Sequence, residues 1–155
     1  MKSIDCAALM RDTRQIGIRL GLDWGRALAR EGITGAQAQM LLHLLHRGDG
    51  ISLTALHRDT GFSMAALSGQ LKSLREQGYI RAEPCPEDDR RKLFYATEKS
   101  RRLQETLDAA LDRTKRQLYR GFSEEDLRTL ERLQKQMLQN LSDCGKANPK
   151  EVSNL

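Results

Sequence analysis

A chain of 155 residues, 39% hydrophobic and 30% charged, has the size and balance of one globular domain with a helical appendage, not of a disordered or fibrous protein. Its 26 Lys and Arg outweigh 21 Asp and Glu, and the net charge of +5 favours a polyanionic partner. No apolar run approaches the roughly 18 residues of a membrane span, and Met1 to Met10 carry Lys2 and Asp5, so neither a membrane anchor nor a secretory leader is expected. The three cysteines, Cys6, Cys85 and Cys144, are odd in number and far apart, which fits a reducing cytoplasm and lacks any zinc spacing.

With only three prolines, long helices are unbroken. Between Cys6 and Glu31, the residues Leu9, Ile16, Leu20, Trp24 and Leu28 recur at helical intervals and predict a first amphipathic helix. Gly17, Gly21 and Gly25 fall on one face of it, which fits either a weak helix or the close approach of another one. Thr34 and Gln37 form a capping box before the apolar run Met40 to Leu45, a second helix that ends at Gly48-Asp49-Gly50. Ser52 caps a short third helix, Gly61 stops it, and Ser63 caps a fourth. Residues 52 to 77 thus supply the short helix, tight turn and second helix of a helix-turn-helix. The fourth helix is expected to bury Met64, Leu67, Leu71 and Leu74 and to present Ser68, Gly69, Gln70, Lys72 and Ser73.

Gly78 ends that helix, and Tyr79 to Glu83 alternate as a strand. A charged loop is predicted from Pro84 to Arg91, with a returning strand from Lys92 to Thr97, so that the pair forms a hairpin wing. A fifth helix is expected from Thr97 or Glu98 through Leu118 to a stop at Gly121. Ser123, with Asp126 three residues on, opens a sixth whose stripe of Leu127, Leu130, Leu133, Met137, Leu138 and Leu141 is too wide for an isolated surface helix. The fold class is mainly α with a small β-hairpin wing (α+β).

The wing sequence Asp88-Asp89-Arg90-Arg91-Lys92, followed by Thr97 before a helix, resembles the D-x-R-x-K signature of the MarR family of winged helix-turn-helix transcriptional regulators. The order of elements from Leu9 to Leu141 is similar too, and the turn Gly121-Phe122-Ser123-Glu124-Glu125 looks most like the SlyA and RovA branch. Departures are Ala96 and Ser100, where Leu and Gly are usual, and Ala65, Ala66 and Gly69, where the family often has Thr, Ser and Arg. The resemblance implies a sequence-specific regulator, repressor or activator, that binds double-stranded DNA as a homodimer. Its segments would be an N-terminal dimerisation helix (1–33), a winged DNA-binding domain (34–97), C-terminal dimerisation helices (98–141) and a polar tail (142–155). A pseudo-palindrome follows, because a symmetric pair of recognition helices meets half-sites about 34 Å apart.

Phosphate contacts give affinity and register while base edges give discrimination. Arg90, Arg91 and Lys92 suit the first role; the resemblance sends Arg90 into a minor groove, with Asp88 folding back onto it. The recognition helix offers Ser63, Ala65, Ala66, Ser68, Gln70 and Lys72 to the major groove. Ser68 and Gln70 are the best base readers, although both fit ordinary exposed helix positions as well. With so few strong readers, much of the specificity is expected from DNA shape. The resemblance also implies a small anionic aromatic ligand, for which Arg14, Trp24 and His43 are the candidate residues. His43, His46 and His57 lack a completing carboxylate or Cys, so no metal or other cofactor is expected. Cys85 between Pro84 and Pro86 is a redox candidate or an inert thiol. No phosphate loop, dinucleotide fingerprint, zinc-protease motif or nucleophile elbow is present, so an enzyme is not expected. The alternative function is a winged-helix protein-protein interaction module with little DNA specificity.

Overall fold

A computed structural model describes residues 4–144; the first three residues and the expected tail beyond 144 lie outside the described part. The helices are α1 (Cys6–Ala27), α2 (Gly35–Arg47), α3 (Leu53–Thr60), α4 (Met64–Glu76), α5 (Glu98–Arg101), α6 (Gln104–Leu118) and α7 (Glu124–Cys144). Three antiparallel strands, β1 (Ile51–Ser52), β2 (Ile80–Cys85) and β3 (Asp88–Ala96), form one sheet in the order β1-β3-β2. The chain divides into two compact units, one ending at Thr114 and the other beginning at Lys115. Among the described residues no helix is long and apolar enough to cross a membrane.

The first unit is built around α2. Its start is fixed as the sequence predicts: Thr34 Oγ1 accepts from the Gln37 amide at 3.2 Å, and Gln37 Oε1 accepts from the Thr34 amide at 3.0 Å. Gln37 Nε2 then donates to Ser73 Oγ at 3.2 Å, which ties this cap to α4. Met40, Leu41, Leu56, Leu67, Leu74 and Leu107 are sealed from solvent and share one core. Each such side chain contributes about 1.5–3 kcal/mol by leaving water. The core therefore fixes α4 from behind and leaves its other face free.

Helix α1 docks only through its C-terminal end. Trp24 and Leu28 join the core, whereas Leu9, Ile16, Ile18 and Leu22 stay exposed. The helix stops at Ala27, short of the predicted Glu31, and a single 3-10 turn, Ala29–Glu31, follows. The glycine face does permit close approach, but its partner residue is Gly35 at the start of α2. A Cβ at Gly35 would run into the Gly21 carbonyl, and one at Gly25 would stand 3.3 Å from the Gly35 nitrogen. Gly17 meets nothing.

The sheet corrects the predicted hairpin twice. Strand β1 is an addition: Ile51 and Ser52 pair with Phe94 and Leu93. The predicted charged loop from Pro84 to Arg91 is mostly strand, because β2 runs to Cys85 and β3 begins at Asp88, leaving only Pro86-Glu87 between them. Backbone pairing with β2 holds these charged residues extended although their side chains bury little. The ladder slips between Pro84 and Cys85, where proline cannot donate a hydrogen bond.

The predicted fifth helix is two. Its first turn is pinned to the exit of α4: the Tyr79 carbonyl accepts from the Thr97 amide at 3.1 Å, from the Thr97 hydroxyl at 3.0 Å and from the buried Ser100 hydroxyl. The chain tightens through Arg102 and Leu103, with the Leu103 amide on the Ser100 carbonyl at 2.9 Å, before α6 begins. In the second unit, α7 opens as predicted. Ser123 Oγ accepts from the Asp126 amide at 3.1 Å, and Asp126 Oδ2 accepts from the Ser123 amide at 2.8 Å and its hydroxyl at 2.7 Å. Those two donated bonds hold the Asp126 carboxyl below the usual carboxylate range.

Candidate nucleic-acid interface

Helices α3 and α4 are joined through Gly61, which closes α3 at φ +73 with its amide on the His57 carbonyl at 3.0 Å. Ser63 then caps α4, its Oγ accepting from the Ala66 amide at 3.1 Å, so this hydroxyl has a structural task at the tip of the recognition helix. Leu67, Leu71 and Leu74 are buried as predicted; Met64 is not, being 42% exposed. Met64 occupies the first turn, ahead of the residues that reach the core, and lines a groove toward the wing instead. Ala65, Ala66, Ser68, Gly69 and Lys72 are exposed, and Gln70 is half-buried.

Two grooves lie between α4 and β3. One is lined by Ser52, Met64, Arg90, Arg91 and Lys92 among others, the second by Ser68, Lys72, Arg75 and Lys92, and Leu53 and Phe94 line both. The structure thus brings Ser68 and Lys72 of the helix together with Arg90, Arg91 and Lys92 of the wing. Arg75 belongs to the same surface and was missed by sequence reasoning. Its signal was available in the spacing, since it stands three residues after Lys72 and so on the same helix face.

Five cations gather on this surface. Lys72, Arg75, Arg90, Arg91 and Lys92 have no carboxylate partner among the described residues, whereas Arg58 pairs with Asp59 at 2.9 Å, Arg128 with Glu124 at 2.8 Å and Lys135 with Glu131 at 2.5 Å. Unpaired, solvated cations sharing two adjoining grooves are what a phosphate backbone neutralises at least cost. Asp88 folds back onto Arg90 through the backbone, not the guanidinium: its Oδ1 accepts from the Arg90 backbone amide at 3.0 Å. That bond shapes the strand start and leaves the guanidinium free. Cys85 is a partly exposed free thiol beside the slipped ladder position.

The three ligand candidates sit in different settings. Arg14 lies on the exposed part of α1, Trp24 is in the core, and His43 Nε2 is 3.2 Å from Asp59 Oδ2. Arg58, with help from His43, holds the Asp59 carboxyl below its ordinary range. The Trp24 indole nitrogen is buried without a hydrogen-bond partner. His46 turns to Asp108 at 2.9 Å and His57 Nδ1 to the Phe62 carbonyl at 2.7 Å, so the histidines serve three separate contacts. Among the described residues no group of three His, Cys, Asp or Glu side chains could hold a metal ion.

Residues 31–91 match the family model described as the MarR family. About nine-tenths of the chain is similar in fold to solved structures of such regulators. A MarR-family transcriptional regulator from Listeria monocytogenes, solved with a 26-mer DNA, is 21% identical over 92% of this chain and 91% of that one, with a TM-score of 0.80. The transcriptional regulator SlyA is 20% identical over 87% and 94%, at 0.79. A MarR regulator from Methanosarcina mazei Go1 is 18% identical over 89% and 99%, at 0.76. No curated protein gives a significant sequence match. At these identities the likeness establishes the fold, which is the winged helix of MarR transcriptional regulators.

Proposed function

We propose that this chain is a MarR-family transcriptional regulator that binds duplex DNA. The observation that carries the reading is the set of unpaired cations from α4 and β3 lining adjoining grooves. The Listeria relative with its bound 26-mer supports it, and the turn before α7 favours the SlyA and RovA branch. Ser68 and Gln70 would read base edges from the major groove, Arg90 would enter the minor groove, and Lys72, Arg75, Arg91 and Lys92 would meet phosphates. Because Ala65, Ala66 and Gly69 carry no base-reading group, DNA shape supplies much of the discrimination.

The acting species in this reading is a cytoplasmic homodimer on a pseudo-palindromic operator. Exposed apolar side chains on α1 and α7 support it: Leu138 and Leu141 are 66% and 71% exposed, and Met10 is 75% exposed. A small anionic aromatic ligand near Arg14, Trp24 and His43 would modulate binding. The orphaned Trp24 N–H favours this, since an unmet buried donor costs about 1–3 kcal/mol that an arriving acceptor recovers. Trp24 is the chain's single tryptophan, so its fluorescence reports that site alone.

The test is selection of genomic fragments followed by salt titration. A near-palindrome should be enriched, and affinity should fall steeply with salt. Replacing Arg90 and Arg91 together with Ala should weaken binding to all sequences about tenfold or more and flatten the salt slope by roughly 0.9 for each phosphate left without its cation. Unchanged binding removes the wing from the mechanism. Failure to enrich any sequence favours the interaction-module reading, for which the bland Ala65-Ala66-Gly69 face is the motivating feature.

A further inference from the structure

Between the end of α1 and Thr114, every large hydrophobic side chain among the described residues is buried or half-buried except Met64, which is 42% exposed. The remaining exposed ones lie on or beside α1 and α7. Met64 opens α4 instead, on the face that carries the cations. It lines a groove of about 290 Å³ with the half-buried Leu53 and Phe94 and with Arg90, Arg91 and Lys92 of the wing. Ser68 follows four residues later, so the two stand on one face of α4, about 6 Å apart along its axis. The groove beside Ser68 shares Leu53, Lys92 and Phe94 with that of Met64.

Whatever covers Met64 must therefore bring apolar surface inside a negatively charged frame. A second copy of the chain fails on charge, because a symmetric contact here would set Arg90, Arg91 and Lys92 against their own counterparts. Duplex DNA meets both demands. Its phosphates frame a major groove in which the C5 methyl of thymine is the apolar group that each A·T pair presents. An unbranched thioether with three rotatable bonds can adapt to such a methyl without a fixed angle of approach.

We propose that Met64 is a specificity-determining residue that reads the C5 methyl of an operator thymine, one helical turn ahead of the position met by Ser68. This role rests on the DNA-binding reading above. It gives the first turn of α4, otherwise occupied by Ala65 and Ala66, a side chain long enough to separate thymine from cytosine at a base edge.

The experiment is equilibrium binding of the full chain to its selected operator with each thymine replaced in turn by uracil, which pairs identically and lacks only the methyl. Replacement of one particular thymine should weaken wild-type binding about fourfold, as expected for one methyl-sized group left unburied. Met64→Ala should bind the thymine operator more weakly and lose nothing further with uracil at that position, whereas Met64→Leu should retain the uracil response. Both variants should melt with the wild type, since Met64 is exposed. A merely structural role would weaken both operators together and keep their ratio, which overturns the proposal. So does an operator bound selectively in which no thymine methyl matters, or a uracil response that persists in Met64→Ala and so belongs to Ala65 or Ala66. Failure of the wild type to bind any duplex selectively, before any thymine is replaced, would overturn the regulator reading and this role with it.

Discussion

The winged part of the chain and helix α7 treat leucine in opposite ways. Around α2, residues such as Leu41, Leu56, Leu67 and Leu74 are sealed in a core, whereas on α7 the stripe from Leu133 to Leu141 stays in water. Helical periodicity is equally good in both, so the pattern alone does not say whether a face is satisfied within the chain or waits for another molecule. The first region folds around its own contents. The second has a well-capped start and no buried residue among those described, as expected if it packs against a second copy in the proposed dimer.

That comparison is broken most forcefully from the core side. Leu67→Ala removes a side chain with no solvent exposure, and unfolding in urea should show a loss of about 2–5 kcal/mol. A loss below about 1 kcal/mol would mean that the winged part does not depend on this core. On α7 the expectation reverses. Leu133→Glu together with Leu138→Glu buries no charge within the chain, so the helical circular dichroism should persist while, for the proposed dimer, sedimentation shifts to that of a monomer. Operator affinity should fall about a hundredfold as the linked second half-site is forfeited. A double variant that remains dimeric would move the interface elsewhere.

Sequence legibility followed the range of the interaction. The caps at Thr34, Ser52, Ser63 and Ser123 were readable because each links residues three apart, and all four appear in the structure. Strand β1 was not, because two residues carry no alternation and exist as a strand only through pairing with Leu93 and Phe94, some forty positions away. The charged start of β3 was hidden for the same reason: Asp88 to Arg91 look like a loop until β2 supplies hydrogen bonds. His43 was legible only as a candidate ligand residue, because its partner Asp59 sits sixteen residues on, one helix later. The cationic residues of the candidate interface were mostly visible, but that they lack carboxylate partners is a three-dimensional property.

The smallest expected effect is the most discriminating, since it carries the α7 argument over to the DNA face. Gly69 lies inside α4, where glycine costs a helix roughly 0.5–1 kcal/mol relative to alanine, and a Cβ there would meet nothing within 4 Å. The fold has no use for this glycine, just as it has none for an exposed Leu141. Gly69→Ala should therefore raise stability to urea by about 0.5–1 kcal/mol and yet weaken operator binding, because the added methyl stands where the recognition helix is expected to approach DNA most closely. Stability and affinity moving in opposite directions would mark the position as shaped by the duplex. If the variant is more stable and binds the operator as tightly as before, Gly69 is not at the contact, and the docking of α4 must be rotated toward Ser68 and Lys72.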